Sequence, residues 1–437
     1  MKKIIKFNNY LIFNFLLCFF LLFIIFFINS KFIFNIAAIL LIINGIVMIT
    51  KAVKNNFPIS YILIILIFNI LIPVTSFEYM EMESMNLLQW EYCLMGEGII
   101  LLGFWISNHL FSFCKFSKNT KNQKLSNLEI SIYVALLIVG IFSYLFYFLK
   151  NGTGISSFLS SVNDESNEPF PLYSFFTTIP VLSIFLLLKS GTVKKHKQLW
   201  IFIFAFAFLQ ILTGKRWGFF LLLLFCASLV NYRKIKIKAY IFLLFVIVIA
   251  FAFFTLIRSN DSTLLTYRPY LRTKELRFEY RATEIFRYFG MSQRNMTIYL
   301  DRTACGTYFQ RTSYFLFKLF GMPSNIKELT MVNGYNVTNI IGYMLIDFGS
   351  FWWLGLLVWA MALHFIILLS NFKKGSLFLT IFKGAAFLSF SLCFYAYLDT
   401  LISFFIVFPI FYFVIYITSH FMGYGGKKND KNSLCGI

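Results

Sequence analysis

Residues 1–30 read "MKKIIKFNNYLIFNFLLCFFLLFIIFFINS", a basic start followed by a long apolar run. A secretory signal peptide begins in the same way. This apolar run, however, is too long for the core of a signal peptide, and it lacks a clear cleavage site made of small residues. We therefore predict a retained signal-anchor helix.

The rest of the composition extends this prediction to the whole chain. Of the 437 residues, 59% are hydrophobic and only 13% are charged, and a soluble domain of this size could not hide so much apolar surface. The net charge of +21 comes mostly from short loops between apolar runs. These charges are topology signals, so we expect the lipid bilayer, and no nucleic acid, as a partner.

Cysteine and histidine do not form a recognisable site in the sequence. The seven cysteines contain no C-x-x-C pair and the four histidines are scattered, so no disulfide framework or zinc site is expected. The outward segments also lack the clustered carboxylates, such as D-x-D, that would hold magnesium. We predict no metal and no cofactor.

The apolar runs predict an all-α polytopic membrane protein with about twelve transmembrane helices. About 20 apolar residues are needed for one crossing. The predicted spans are 10–28, 32–50, 57–75, 92–112, 128–149, 171–188, 199–213, 217–231, 239–257, 351–370, 376–396 and 401–419.

Loop charges set the predicted orientation. Lysine-rich loops precede the first span and follow every even-numbered span, which predicts that both termini are cytoplasmic. The alternation leaves one long outward, periplasmic loop. The predicted divisions are helices 1–9 in 1–257, an outward loop with amphipathic or re-entrant helices in 258–350, helices 10–12 in 351–419, and a cytoplasmic tail in 420–437.

The outward loop is rich in arginine, whereas the cytoplasmic loops use lysine. Nine of the eleven arginines lie between Arg258 and Arg311. Arginine binds phosphate or carboxylate through a planar fork, so the cluster indicates an anion site. Alternatively, the six acidic residues of the loop pair with some of these arginines. The arginines singled out are Arg258, at the outer end of the ninth span, and Arg281 and Arg287, on a predicted loop helix.

The seventh and eighth spans have too little chain for two full crossings. Only 198–232 is available, whereas two crossings need about 40 residues before any turn. The turn 213–216 should therefore lie at membrane depth, where charge is tolerated mainly in cavities. We expect Arg216 and Lys215 to be functional there. The alternative is snorkelling to the outer interface.

Three carboxylates are candidates for a general base: Asp347, Glu284 and Glu97. Glu97 lies one or two turns below the outer end of the fourth span, and it alternatively pairs with Arg216 or Lys215. Asp347 precedes a predicted turn at Gly349. Three further interpretations are structural: a polar helix end for Asp347, helix capping of 339–347 by Asn336 and Thr338, and a structural role for His364.

Two short motifs resemble those of a known family. The turn "TGKRWG" resembles the G-x-R-[x]-G turn of the O-antigen polymerase (Wzy-type) family, the oligosaccharide repeat unit polymerases. The segment "NVTNIIGYMLIDFGSFWWLGLLVWAMALHF", 336–365, resembles that family's segment in which Thr, Gly and then Asp-Phe-Gly precede a membrane helix. The resemblance in architecture covers the whole chain, whereas the matching motifs comprise only about forty residues.

The resemblance implies an enzyme of the bacterial inner membrane that joins undecaprenyl-diphosphate-linked oligosaccharide units at the periplasmic face, with a chain-length regulator as a partner. Negative charge then develops on the leaving diphosphate, which arginines in a low-dielectric cavity would stabilise. We assign diphosphate binding to Arg216, Lys215, Arg258, Arg281 and Arg287. Catalytic roles fall to Arg216, Asp347, Glu284 and Glu97, and sugar binding to Asn336 and Thr338.

Three other functions are compatible with this membrane architecture. An O-antigen ligase shares the fold and the lipid carrier, but that family carries a loop histidine, and no histidine lies in a predicted outward loop of this chain. A lipid-linked oligosaccharide flippase usually has repeated halves, and no internal repeat is visible. A membrane scaffold would have no use for charge at membrane depth.

Overall fold

The computed structural model describes residues 2–77, 84–114, 123–150, 173–212, 216–229, 292–293, 296, 339–373, 375–393 and 398–432. Within these ranges the regular elements are helices, with no β-strand. The chain divides into two compact units. Unit 1 comprises Met1–Ser117, Asn231–Phe372 and Ala386–Ile402, and unit 2 comprises Lys118–Val230, Lys373–Ala385 and Ser403–Ile437.

Unit 1 contains the N-terminal helices and the helices that follow the arginine-rich segment. They are α1 (Lys2–Ile28), α2 (Lys31–Asn55), α3 (Ile59–Leu66), α4 (Ile72–Ser76), α5 (Leu87–Phe113), and then α11 (Ile340–Phe348) and α12 (Trp352–Phe372). Side-chain caps fix the starts of two of them. The Ser30 hydroxyl accepts from the Ile33 N–H, and Asn86 forms a reciprocal capping box with Gln89.

A π-helical turn, Ile67–Leu71, joins α3 to α4. Pro73 lies at the start of α4 and has no N–H, so the carbonyl four residues earlier, on Asn69, cannot receive a regular helical bond. Instead, the Ile72 N–H bonds to the Ile67 carbonyl across a wider turn. Turns of this kind are frequent at functional sites because they redirect side chains.

Glycines allow α5, α11 and α12 to pack at short range. A Cβ on Gly96 would lie 2.4 Å from the Ile341 Cδ1 atom, and one on Gly103 would lie 3.1 Å from the Ala360 Cβ atom. Gly349 has a φ of 53°, which suits glycine and reverses the chain between α11 and α12. The turn that we predicted at Gly349 is therefore confirmed.

Unit 2 contains the central helices. They are α6 (Asn127–Lys150), α7 (Tyr173–Lys189), α8 (Thr192–Lys195), α9 (Leu199–Leu212) and α10 (Arg216–Ala227). Two last helices, α13 (Leu377–Ser391) and α14 (Leu398–Asn432), have residues in both units. The buried Phe225 ring packs against Phe404 and Phe408, which ties α10 to α14.

Within the described residues, seven helices are long and apolar enough to cross a membrane, and three more are apolar but shorter. The protein is therefore a helical, multi-pass membrane protein. Helices coincide with the predicted spans wherever the structure describes the chain, whereas 239–257 lies outside the described residues. Helices α9 and α10 have 14 and 12 residues, so each is roughly 20 Å long and shorter than the hydrocarbon core.

Candidate functional site

The side chain of Glu97 is buried in unit 1, with 1% of its surface exposed. Its carboxylate accepts a hydrogen bond from the Asn69 amide of the π-helical turn and interacts with the Cys18 thiol of α1. Glu97 lies ten residues after Leu87, about 15 Å along α5. The capping box starts α5 five residues before the predicted span, and the membrane depth that we expected for Glu97 stays a prediction.

Asn69 begins a chain of hydrogen-bonded amides that links three helices, and in this chain Asn14 and Asn69 are buried and Asn44 is half-buried. Asn44 on α2 donates to the Asn69 Oδ1 atom at 3.1 Å and to the Asn14 Oδ1 atom at 2.8 Å. Asn14 on α1 in turn donates to the Tyr61 hydroxyl at 2.7 Å. We call Glu97, Cys18, Asn69, Asn44, Asn14 and Tyr61 the Glu97 cluster.

The Glu97 cluster contains one acidic side chain and no positively charged side chain. The contacts that the structure gives to the carboxylate are with a neutral amide and a neutral thiol. We had also considered Arg216 or Lys215 as ion-pair partners, but their side chains lie outside the described residues. An ionisable group inside a membrane helix is costly, which makes a functional role the default interpretation.

A second polar group connects the arginine-rich segment to the helices of unit 1. The Asn339 amide donates to the Gln293 Oε1 atom and lies 3.5 Å from the Met296 sulfur. The Gln293 oxygen also lies 3.7 Å from the Cys93 sulfur, one turn before Glu97 on α5. Gln293 and Met296 therefore lie beside the start of α11.

Helix α11 corrects one of our predictions. It covers 340–348, and its cap is Asn339, whose side chain accepts from the Gly342 N–H at 3.0 Å. Capping by Asn336 and Thr338 was our structural alternative to sugar binding, and both residues lie outside the described residues. Asn339 meets the geometric requirement because its backbone is extended immediately before the first helical residue.

Asp347 lies near the end of α11 and is buried, with 1% of its surface exposed. The two tryptophans that follow have different environments. Trp352 is buried and packs on Tyr92 with ring centres 5.2 Å apart, whereas Trp353 is 45% exposed. Of the two, only Trp353 has an exposed side chain.

The other predicted site residues cannot be placed. Arg216 is the first residue of α10, with its side chain outside the described part of the chain. Seven more lie outside the described residues altogether: Lys215, Arg258, Arg281, Glu284, Arg287, Asn336 and Thr338. Among the residues that the structure does describe, no group of His, Cys, Asp or Glu could hold a metal ion.

His364 is buried in unit 1 and both of its ring nitrogens are hydrogen-bonded. Nδ1 lies 2.7 Å from the Ser60 hydroxyl, and Nε2 lies 3.2 Å from the Asn108 Oδ1 atom. Phe104 stacks on the imidazole ring at 4.3 Å. These contacts support the structural role that we expected for His364.

One comparison with known proteins bears on this arrangement. The family model described as "O-antigen polysaccharide polymerase Wzy" matches residues 10–271, more than half of the chain. The chain belongs to the O-antigen polysaccharide polymerase Wzy family. No curated protein and no solved structure matches it.

Membership of the Wzy family confirms the resemblance that we found in the sequence. It makes the protein a polymerase-type enzyme of a multi-pass membrane class, with a lipid-linked oligosaccharide as its substrate. The matched range includes the whole Glu97 cluster and the turn before Arg216. It ends before Arg281, Glu284 and Asp347.

The amides of the Glu97 cluster did not emerge from our sequence analysis. Asn14, Asn44 and Asn69 each interrupt an apolar span, and polar side chains at that depth are uncommon. The position of these asparagines inside apolar spans was the signal that could have identified them from the sequence. We missed this signal because asparagine is frequent throughout the chain, including its loops, so no single asparagine stood out.

Proposed function

We propose that the protein polymerises undecaprenyl-diphosphate-linked oligosaccharide repeat units at the periplasmic face of the bacterial inner membrane. The product is O-antigen or a similar surface polysaccharide. The observation that carries the proposal is the buried Glu97 carboxylate, whose described partners are neutral. Family membership supports the same reaction class.

The proposed topology has twelve membrane helices, both termini in the cytoplasm, and an outward segment at 258–350. Helices 1–9 occupy 1–257, helices 10–12 occupy 351–419, and 420–437 is a cytoplasmic tail. The short lengths of α9 and α10 support the turn at membrane depth, because neither helix alone crosses about 30 Å of hydrocarbon. Arg216 then begins a helix inside the membrane.

The reaction forms one glycosidic bond and breaks one bond to phosphate. A hydroxyl oxygen of one lipid-linked unit attacks the anomeric carbon of the chain on a second carrier. The bond from that carbon to the diphosphate breaks, and its electron pair leaves with undecaprenyl diphosphate. The hydroxyl proton passes to a carboxylate acting as general base.

Glu97 is our first choice as that base. Because no described cation neutralises it, its negative charge is available for a proton. The acceptor hydroxyl takes the place of the Cys18 thiol, which is a weak hydrogen-bonding group. Asp347 and Glu284 are the other carboxylates of the proposal.

The basic residues hold the departing diphosphate. Arg216 is the first choice, assisted by Lys215, Arg258, Arg281 and Arg287, because arginine forks bind phosphate oxygens in pairs. Asn336 and Thr338 contact the sugars, and a chain-length regulator is the proposed protein partner.

The proposal is tested with purified protein and a synthetic undecaprenyl-diphosphate-linked repeat unit. We expect longer lipid-linked chains, with one undecaprenyl diphosphate released for each bond formed. Transfer of the chain to lipid A core instead would show a ligase. Transport of the unit across a vesicle membrane without bond formation would show a flippase.

An Arg216→Ala variant tests the turn in the native host. We expect the polysaccharide ladder to collapse to a single band of core plus one unit, because flipping and ligation persist without polymerisation. A tagged copy controls for membrane abundance. An unchanged ladder would remove Arg216 from the proposed site.

A further inference from the structure

Asn69 occupies an irregular position in unit 1 that regular helix geometry would not provide. The π-helical turn 67–71 carries it, and Pro73 removes the donor that would otherwise bond to the Asn69 carbonyl. The side chain is buried, and its amide nitrogen donates to the Glu97 Oε1 atom. The backbone irregularity therefore coincides with the contact to the acid.

The orientation of the Asn69 side chain is fixed from its other side. Its Oδ1 atom accepts from Asn44 at 3.1 Å, so its nitrogen must face the carboxylate. The next residue on α2, Gly45, allows this approach, because a Cβ there would lie 3.0 Å from the Asn69 Cβ atom. Two neighbouring residues of α2 thus hold Asn69 in place.

From this geometry we infer that Asn69 is a positioning residue for the general base. The inference rests on the proposed role of Glu97 in polymerisation. By binding one carboxylate oxygen, Asn69 fixes the plane of the carboxyl group and directs the second oxygen to the acceptor hydroxyl. Asn69 does not touch the substrate, so its loss should lower kcat and leave KM little changed.

The first test replaces Asn69 with leucine, which has a similar size but no donor. We expect turnover per folded molecule to fall about 10- to 100-fold, because misalignment of a reacting group by about 1 Å has effects of that size. Turnover is measured as undecaprenyl diphosphate released at saturating substrate, and KM is measured in parallel.

Asn108→Leu is the matched control. Asn108 is also a buried asparagine of unit 1 with two side-chain partners, Asn8 and His364, but it does not contact the Glu97 cluster. We expect both variants to lower membrane abundance, and only Asn69→Leu to lower turnover per folded molecule. An equal turnover in both variants would overturn the inference.

A smaller substitution keeps the test decisive even if Asn69→Leu does not fold. Asn69→Ala removes the same donor, retains Glu97, and keeps only the Cβ atom that already fits beside Gly45. We expect the same fall in turnover per folded molecule as for Asn69→Leu. Wild-type turnover per folded molecule in Asn69→Ala would overturn the inference.

Glu97→Gln alone separates this inference from the proposal on which it rests. If that variant polymerises at the wild-type rate, Glu97 is not the base and the role of Asn69 falls with it. If Glu97→Gln is inactive and Asn69→Leu turns over at the wild-type rate, only the role of Asn69 is overturned.

Discussion

Two buried titratable side chains in unit 1, His364 and Glu97, lie in different environments. Both nitrogens of His364 have partners, and its ring stacks on Phe104 between regular helices. The Glu97 carboxylate has about four acceptor positions, whereas its described partners are one amide and one thiol beside a π-helical turn. Burial alone therefore does not identify a catalytic side chain. Hydrogen-bond acceptor positions without a described partner, beside an irregular backbone, are the more informative observation.

Glu97→Gln should produce the largest effect and would sharpen this comparison. The glutamine oxygen can still accept from Asn69, so we expect normal membrane abundance. Loss of the general base should lower the rate of polymerisation by about 100-fold or more. The measurement is the release of undecaprenyl diphosphate by equal amounts of folded protein. Lower abundance with an unchanged rate per molecule would instead place Glu97 with His364 as a structural residue.

His364→Leu should affect stability and leave turnover unchanged. The substitution leaves the Ser60 hydroxyl and the Asn108 amide without their partner, which should lower the free energy of unfolding by about 1–3 kcal/mol. Thermal unfolding in detergent measures this loss, and turnover per folded molecule is the control. A large loss of turnover with unchanged stability would break the comparison, because His364 would then take part in the chemistry.

The two glycines beside Glu97 offer a finer test with a smaller expected effect. A Cβ on Gly96 would lie 2.4 Å from Ile341 on α11, whereas a Cβ on Gly98 would meet Phe15 at an ordinary 3.6 Å. We expect Gly96→Ala to destabilise the protein by about 1–3 kcal/mol through overpacking and Gly98→Ala to be close to neutral. The melting temperatures of the two variants in detergent check this order. Equal melting temperatures would show that α11 does not pack tightly beside the acid.

The sequence predicted correctly those elements whose structure depends on a single property of their residues. Apolar length located α1, α2 and α5, and Gly349 marked the turn before α12. The predicted span 92–112 started five residues too late because a capping box of polar residues extends α5 beyond its apolar run. The π-helical turn carries Asn69 shortly before Pro73, and Gly45 of α2 packs against Asn69. The periodicity of one segment does not reveal a contact with a residue of another helix.

Asn339 has a consequence for any attempt to alter this part of the enzyme. The same amide caps the start of α11 and donates to Gln293, 46 residues earlier in the chain, while the Asn339 N–H bonds to the Ser292 carbonyl. A substitution at this one position would therefore remove the helix cap and the side-chain contact to Gln293 at the same time.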